Sequence, residues 1–337
     1  MVAWPHMAQL DFLAVGDIVT EPFIKLKDAQ LHCTINTDTC EICMRFGDKI
    51  PYESATVCVA VGNAANAAVS AARLGLSSAL RAYVGDDEYG PPCIAQLEKE
   101  GVSTEFMVTE PGKHSNYHYV LWYENDRTIL VKHEDFTYTV PEITEAPKWL
   151  YLSSLADKSL PYHQAWLTWL NEHPETKLVF QPGTFQMKLG VEALKGLYER
   201  SEVYVVNRDE AARILGTDRD DVKGLLDGLH ALGPKIVIVT DNTNGAYASD
   251  GTQQVHVPMY PDQPAAFERT GAGDAFASTF ASALALGKTF EEALLWSPIN
   301  SMSVVQQVGA QQGLLSREAL EAFLAKAPPH YRIEPIS

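Results

Sequence analysis

Long hydrophobic runs are missing from this 337-residue chain. No apolar stretch approaches the ~20 residues that a membrane-spanning helix needs, so no membrane partner is expected. The N-terminus has no basic stretch followed by an apolar core. A secretory signal is therefore not expected, and a cytoplasmic location is. Met1 to His6 read as an unstructured lead-in, with Met7 as a candidate natural start. Positive charge is scarce: 26 Lys and Arg stand against 43 Asp and Glu, a net charge of −17. Such a surface repels nucleic acid and anionic lipid, and any cation that meets an anionic substrate has to be local. Cysteines are few and odd in number, five in all, which predicts reduced thiols. Cys40 and Cys43 form a C-x-x-C pair with no second pair to complete four zinc ligands, so they read as small residues on a strand. No G-x-x-x-x-G-K-[ST] run occurs, which excludes a P-loop. Gly271-x-Gly273 lacks the third glycine of a dinucleotide fingerprint, because Phe276 stands there. Internal repeats and low-complexity tracts are absent as well.

What the chain does have is the composition of a globular protein, 46% apolar and 20% charged, and the length of one large domain or two ordinary ones. Its most informative run is Arg269-Thr270-Gly271-Ala272-Gly273-Asp274-Ala275-Phe276. Two glycines flank a small residue, and an aspartate follows as an apolar helical pattern begins. Unpaired backbone N–H groups at a helix start can cradle an anion. Asp274 stands beside that anion as a base, and the helix dipole favours its charged form. Phosphoryl transfer to a hydroxyl needs such a cradle and such a base. Taken alone, the run reads equally well as a capped helix start. Ala272, Ala275, Phe276, Thr279, Phe280, Ala283 and Leu284 share one stripe at helical spacing, and Gly287 ends it. The stripe is mostly small, so this helix can lie close against a sheet.

Residues 10–15 read as a short buried strand ending at Gly16. Between 21 and 60 the pattern changes to short alternating stretches, with strands at 24–26, 31–35, 42–46 and 56–61. A helix at 62–75 carries Ala64, Ala67, Ala68, Ala71 and Ala72 on its packing side. A strand at 78–84, a helix from Asp87 to Glu100 and a strand at 106–108 follow. Residues 114–123 and 128–133 read as a hairpin across Glu124-Asn125-Asp126-Arg127. Strands at 149–152, 177–180, 202–206 and 235–240 then alternate with helical stretches at 161–171, 191–200 and 208–232. A hairpin of 246–249 and 254–257 and helices at 272–286, 290–305 and 316–325 complete the chain. Short apolar strands separated by helices predict an α/β fold, a doubly wound, mostly parallel sheet covered by helices on both faces. Its main domain takes in 10–20, 61–112 and 134–327; a small β-sheet is inserted as 21–60 and 113–133. Ligands of such sheets sit beyond the carboxyl ends of the strands, and the Gly271–Asp274 turn lies at such a place.

Four segments carry a resemblance. The first is Val61-Gly62-Asn63-Ala64-Ala65-Asn66-Ala67-Ala68, continued by Ala72-Arg73-Leu74-Gly75 and Val84-Gly85-Asp86-Asp87-Glu88-Tyr89-Gly90. Asn207-Arg208-Asp209-Glu210, an N-x-x-E, and Val239-Thr240-Asp241-Asn242-Thr243-Asn244-Gly245 come next, and Thr270-Gly271-Ala272-Gly273-Asp274 is the last. In this order and spacing, over about residues 10–325, the chain resembles the ribokinase-like (PfkB) carbohydrate kinases. The resemblance implies a small β-sheet lid on the main domain. It implies transfer of the γ-phosphate of ATP to a hydroxymethyl group of a small sugar or sugar-like substrate. Asp274 would be the base, and the N–H groups of Gly271, Ala272 and Gly273 the anion hole. Asn207 and Glu210 would organise Mg²⁺ through its waters. Glu21, Gly62, Asn63 and Asn66 would face the substrate. Thr240, Asn242 and Gly245 fall in the nucleotide loop, and Asn300 would lie at the adenine. A monovalent-cation requirement stays open. So do two other readings, a nucleoside (adenosine-like) kinase of the same family and a non-catalytic ligand-binding protein on a kinase-like fold. An exposed edge in the lid favours a homodimer that covers it.

The residues also admit plainer readings. Asn207 and Glu210, three apart, can be a helix cap with a solvated glutamate. Asn66 can be a buried amide bonded to backbone. Tyr52, Phe46, Tyr117, Tyr119, Trp122 and Tyr123 can stack on a substrate ring or form the core of the small sheet. The chain also departs from the family pattern. Glu21 stands where an aspartate is usual, reaching one methylene further. Val61 replaces the first glycine of a pair. Asn242 replaces a loop glycine, a position asparagine can hold because it tolerates a left-handed backbone. Glu268-Arg269 replaces Asp-Thr; Arg269 can meet a phosphate or carboxylate, or pair locally with Glu268. In the hairpin, Asn116 and His118 alternate with Tyr117 and Tyr119, and one set faces the substrate.

Overall fold

Apolar four-residue runs such as Phe12–Val15 (FLAV) and Trp149–Leu152 (WLYL) are buried at every position, which requires cover on both faces. The computed structural model, which describes residues 9–27, 29–33, 40–124, 126–261 and 267–336, supplies that cover. Met7, Ile35 and Asn125 lie outside the described residues. Six parallel strands lie side by side: Ser78–Arg81, Phe12–Val15, Trp149–Leu152, Lys177–Phe180, Ser201–Asn207 and Ile236–Thr240. Ala246–Ser249, Gln254–Val257 and Glu334–Pro335 extend this sheet to nine strands in antiparallel pairing. Side chains alternate between two cores. Phe12, Ala14 and Tyr151 pack on one face with the alanine-rich helices Asn63–Arg73 and Ala272–Ala285. Leu13, Val15, Leu150 and Leu152 pack on the other, with Tyr162, Trp166 and Leu170 of Leu160–Glu172 and with Val191–Arg200 and Val222–Ala231.

The expected strand at 78–84 is two. Ser78–Arg81 stays in the large sheet, whereas Tyr83–Gly85 pairs in parallel with Val108–Glu110. The cause is the buried Arg81, whose guanidinium donates to the carbonyls of Phe106 and Thr139 and to the Tyr83 hydroxyl, redirecting the chain. The next helix is Gly90–Lys99, and Asp87, just ahead of it, accepts the N–H groups of Tyr89 and Gly90, the capping role expected of it. The stretch 208–232 is two helices, Arg208–Leu215 and Val222–Ala231; Gly216 ends the first with a left-handed φ of 62°. A short helix, Thr184–Leu189, was not expected.

A separate small sheet has the order Asp126–Leu130, Tyr119–Tyr123, Val19–Leu26 and Tyr52–Val61, with Asn116–Tyr117 also paired to Val19–Leu26. Among the described residues, Gln30–Cys33 and Cys40–Cys43 pair with each other and with no other strand. Register puts Phe23, Val120 and Ile129 on one face and Ile24, Leu121 and Thr128 on the other. Cys43, Cys58 and Cys93 are free thiols. Among the described residues no helix is long and apolar enough to cross a membrane.

Candidate active site

A cavity of about 820 Å³ lies between the two sheets. Its floor is made where parallel strands end: Ser154, Gln181, Asn207 and Thr240 each stand at or just beyond a carboxyl terminus. Glu21, Arg127 and Ile129 of the small sheet face it from the other side. Twelve residues singled out in the sequence line this one space: Glu21, Gly62, Asn63, Asn66, Asn207, Glu210, Thr240, Asn242, Gly271, Ala272, Gly273 and Asp274. Gly245 and Asn300 do not. Gly245, at φ 89°, sits where a Cβ would come within 2.2 Å of the Val257 carbonyl, so it shapes the loop without facing the cavity. Asn300 is fully buried in the helix Phe290–Val304. Its Nδ2 donates to Thr279 Oγ1 at 2.7 Å and its Oδ1 accepts the Leu315 N–H at 2.9 Å. It ties core elements together and is not placed to meet an adenine in this cavity.

The helix Ala272–Ala285 begins in the cavity wall, with Gly271 at φ 83° as its cap. A Cβ on Gly271 would approach Ala310 Cβ to 2.4 Å, whereas one on Gly273 would meet nothing within 4 Å. The first glycine thus permits the close crossing of two segments, and the second keeps space open in front of the helix start. Asp274, on the first turn, receives three side-chain amides. Asn63 Nδ2 donates to Oδ1 at 2.8 Å, Asn66 Nδ2 to Oδ2 at 2.8 Å, and Gln181 Nε2 to Oδ1 at 3.3 Å. Asn66 is buried and is itself oriented, because its Oδ1 accepts from Gln311 Nε2 at 3.0 Å. Its amide is therefore bonded to the carboxylate and not to backbone. Burial pushes the Asp274 carboxyl above the ordinary aspartate value, and the Asn66, Gln181 and Asn63 donors pull it back down. Desolvation thus works against the charged form that the helix dipole favours.

Glu21 is buried, with Oε1 3.1 Å from His118 Nδ1. Asn116 and His118 are both buried without lining the cavity, and Tyr117 and Tyr119 turn outward toward Tyr89. Glu268 is buried too. Its Oε1 accepts the Thr270 N–H at 2.8 Å and hydroxyl at 2.6 Å, and Arg127 Nε stands 3.9 Å away. Arg269 is exposed and lines the cavity.

The other end of the cavity is locally built. Asn207 Oδ1 accepts the Glu210 N–H at 2.8 Å while Glu210 Oε2 accepts the Asn207 N–H at 2.9 Å, a reciprocal cap. The cap does not withdraw them, since both also line the cavity. Burial raises the Glu210 carboxyl. Arg208 Nη1 donates to the buried Asp241 at 2.7 Å, and Asn244 Nδ2 donates to the same oxygen at 3.0 Å. Asn242 follows with φ 47°, the left-handed backbone expected of it. Among the described residues no group of three or more His, Cys, Asp or Glu is arranged to hold a metal ion. Sequence reading passed over Gln181 and Tyr151. The available signal was a polar residue directly after the apolar strand Lys177–Phe180, where ligands collect.

Comparison with known proteins agrees with this geometry. Ribokinase of Bacillus subtilis (strain 168) is 28% identical over 271 residues, covering 78% of this chain and 87% of that one. Arabidopsis thaliana ribokinase, solved with ribose and ATP, superposes with a TM-score of 0.76 at 19% identity, over 94% of this chain and 99% of its own. The nucleoside kinase of Methanocaldococcus jannaschii gives 0.75 at 17% identity, over 95% and 100%. These two structures share the fold. The family model "pfkB family carbohydrate kinase" matches residues 30–317, and with that match over most of its length the chain belongs to this family of phosphotransferases with alcohol acceptors.

Proposed function

We propose that the chain transfers the γ-phosphoryl group of ATP to a hydroxymethyl group of a sugar or sugar-like acceptor, with Asp274 as the base. The observation that carries this reading is the Asp274 carboxylate, lining the cavity on the first turn of a helix and oriented by three amides. The acceptor lies toward Glu21 and Asn63, where a carboxylate and an amide meet hydroxyls. The migrating phosphoryl group lies at the N–H groups of Gly271, Ala272 and Gly273. The nucleotide extends toward Asn207, Thr240 and Asn242, which line the same cavity. Positioning and charge stabilisation supply most of the catalysis in such a transfer.

Magnesium fits this arrangement in one way. A lone glutamate with a capping asparagine suits an ion bound mainly by triphosphate and water. Glu210 would hold its waters, and the ion would supply neutralising charge to the phosphates. The small sheet would act as the lid. Its outward face exposes Val57, Tyr119 and Leu130, and a second copy of the chain would cover it, which a light-scattering mass twice that of the monomer would show.

An ADP-release screen tests the reading across ribose, sugar acids and adenosine, with Asp274→Asn as control. Acceptor-dependent release that the control loses is expected. Binding of an acceptor without any release would favour a non-catalytic protein. Preference for adenosine over every sugar would move the assignment to a nucleoside kinase.

A further inference from the structure

The two oxygens of Asp274 are not equivalent. An ionised carboxylate oxygen offers about two acceptor directions. Oδ1 takes two donors, Asn63 Nδ2 at 2.8 Å and Gln181 Nε2 at 3.3 Å. Oδ2 takes one among the described residues, Asn66 Nδ2 at 2.8 Å. The Gln181 amide is fixed the right way round from behind. The Tyr151 hydroxyl donates to Gln181 Oε1, which leaves the NH₂ group to face the carboxylate. Tyr151 is wholly buried in the core, where desolvation raises its phenol far above the usual value and keeps the donor proton in place.

We infer that Gln181, held by Tyr151, is a positioning residue that fills Oδ1 of Asp274 and leaves Oδ2 to take the proton of the acceptor alcohol. This rests on the kinase reading above. In the step itself the acceptor O–H bond breaks toward Oδ2 as the acceptor oxygen bonds to phosphorus. The bond from phosphorus to the ADP oxygen breaks, and ADP leaves with that electron pair. Other groups line the same cavity: Glu21 and Arg127 from the small sheet, Glu210 from the helix Arg208–Leu215, Arg269 from the turn before Asp274, and the neutral Asn63 and Asn66. None of them blocks Oδ1 as Gln181 does, apart from Asn63.

Two variants and two readouts test the inference. Gln181→Met removes the donor at similar volume, and Tyr151→Phe removes only the hydroxyl that fixes the amide. The first readout is the pH dependence of kcat/KM. The second is the titration of the Asp274 carboxyl carbon in protein labelled with ¹³C-aspartate, assigned by its loss in Asp274→Asn. Gln181→Met should lower kcat about tenfold, leave KM for ATP within about twofold, and move both the acid limb and the carboxyl titration up by about half a pH unit. Tyr151→Phe should move both in the same direction by less. Unchanged titration in Gln181→Met overturns the inference even where kcat falls, because a purely structural amide would lower the rate without touching the carboxylate. Should Gln181→Met fail to fold, Tyr151→Phe carries the same decision. If wild-type protein releases no ADP with any acceptor, the kinase reading fails separately, and the carboxyl titration still decides the Gln181 contact.

Discussion

At the end of the cavity assigned to the base, every side-chain contact to Asp274 joins distant parts of the chain. Asn63 and Asn66 reach Asp274 across 211 and 208 residues, and Gln181 reaches it across 93. At the nucleotide end the bonds are short-range: Asn207 and Glu210 are 3 apart, as are Asp241 and Asn244, and Arg208 to Asp241 spans 33. The nucleotide end can therefore form as soon as two neighbouring strands, Ser201–Asn207 and Ile236–Thr240, and the helices between them do. The base end exists only after the helices Asn63–Arg73 and Ala272–Ala285 have docked, which their alanines permit at close range. On the proposed assignment, catalysis is thus conditional on the finished fold, while nucleotide recognition is more nearly local.

Asp274→Asn should break the base end with the largest effect. A fall in kcat of ~10²–10⁴-fold is expected, with ATP binding retained in an equilibrium titration. Near wild-type turnover would refute the base assignment. Arg208→Met attacks the other end. It takes the 2.7 Å partner from Asp241, only 3% exposed, leaving Arg219 at 3.9 Å as the nearer cation, and should cost ~1.5–3 kcal/mol in denaturant unfolding. Its surviving folded fraction should show a raised KM for ATP and an unshifted acid limb; a shifted limb would mean the two ends are not separable.

The two glycines of one turn sharpen the contrast further. Gly271→Ala meets Ala310 at a positive φ and should lose ~1–3 kcal/mol of stability. Gly273→Ala should melt like wild type but turn over more slowly, since its methyl occupies the space in front of the helix start. Equal melting losses in the pair would contradict this division of labour. The smallest effect is expected from Glu21→Ala, a rise of roughly tenfold in acceptor KM, in keeping with a hydrogen bond to a charged group. A loss confined to ATP affinity would show that Glu21 has been given the wrong ligand.

How much of this was legible in the sequence follows the same division. Asn207, Glu210, Thr240 and Asn242 stand in short motifs whose spacing implies their geometry, and Asn242 holds the strained backbone its residue type suggested. Asn63, Asn66 and Asp274 were singled out separately, but nothing local told that the amides would grip the carboxylate. Gln181 and Tyr151 were passed over because the carboxylate they serve comes from a helix 93 residues beyond Gln181 in the chain. Asn300 was misplaced for a different reason. The helix Phe290–Val304 is buried nearly all round, so no polar stripe fixes which side of it meets the cavity. The burial that raises the Asp274 carboxyl was not legible at all, because the dipole argument sees only the helix start and not what packs over it.

The two-residue strand Glu334–Pro335 has a consequence beyond the site. It closes one border of the nine-stranded sheet with an imino nitrogen that cannot donate to a newcomer. The longest open edge is then the ten-residue strand Tyr52–Val61 of the small sheet, whose far flank pairs with no strand among the described residues. Any misassembly of this protein at high concentration should begin along that border, where Glu53, already drawn toward Lys25, is the single charge standing guard.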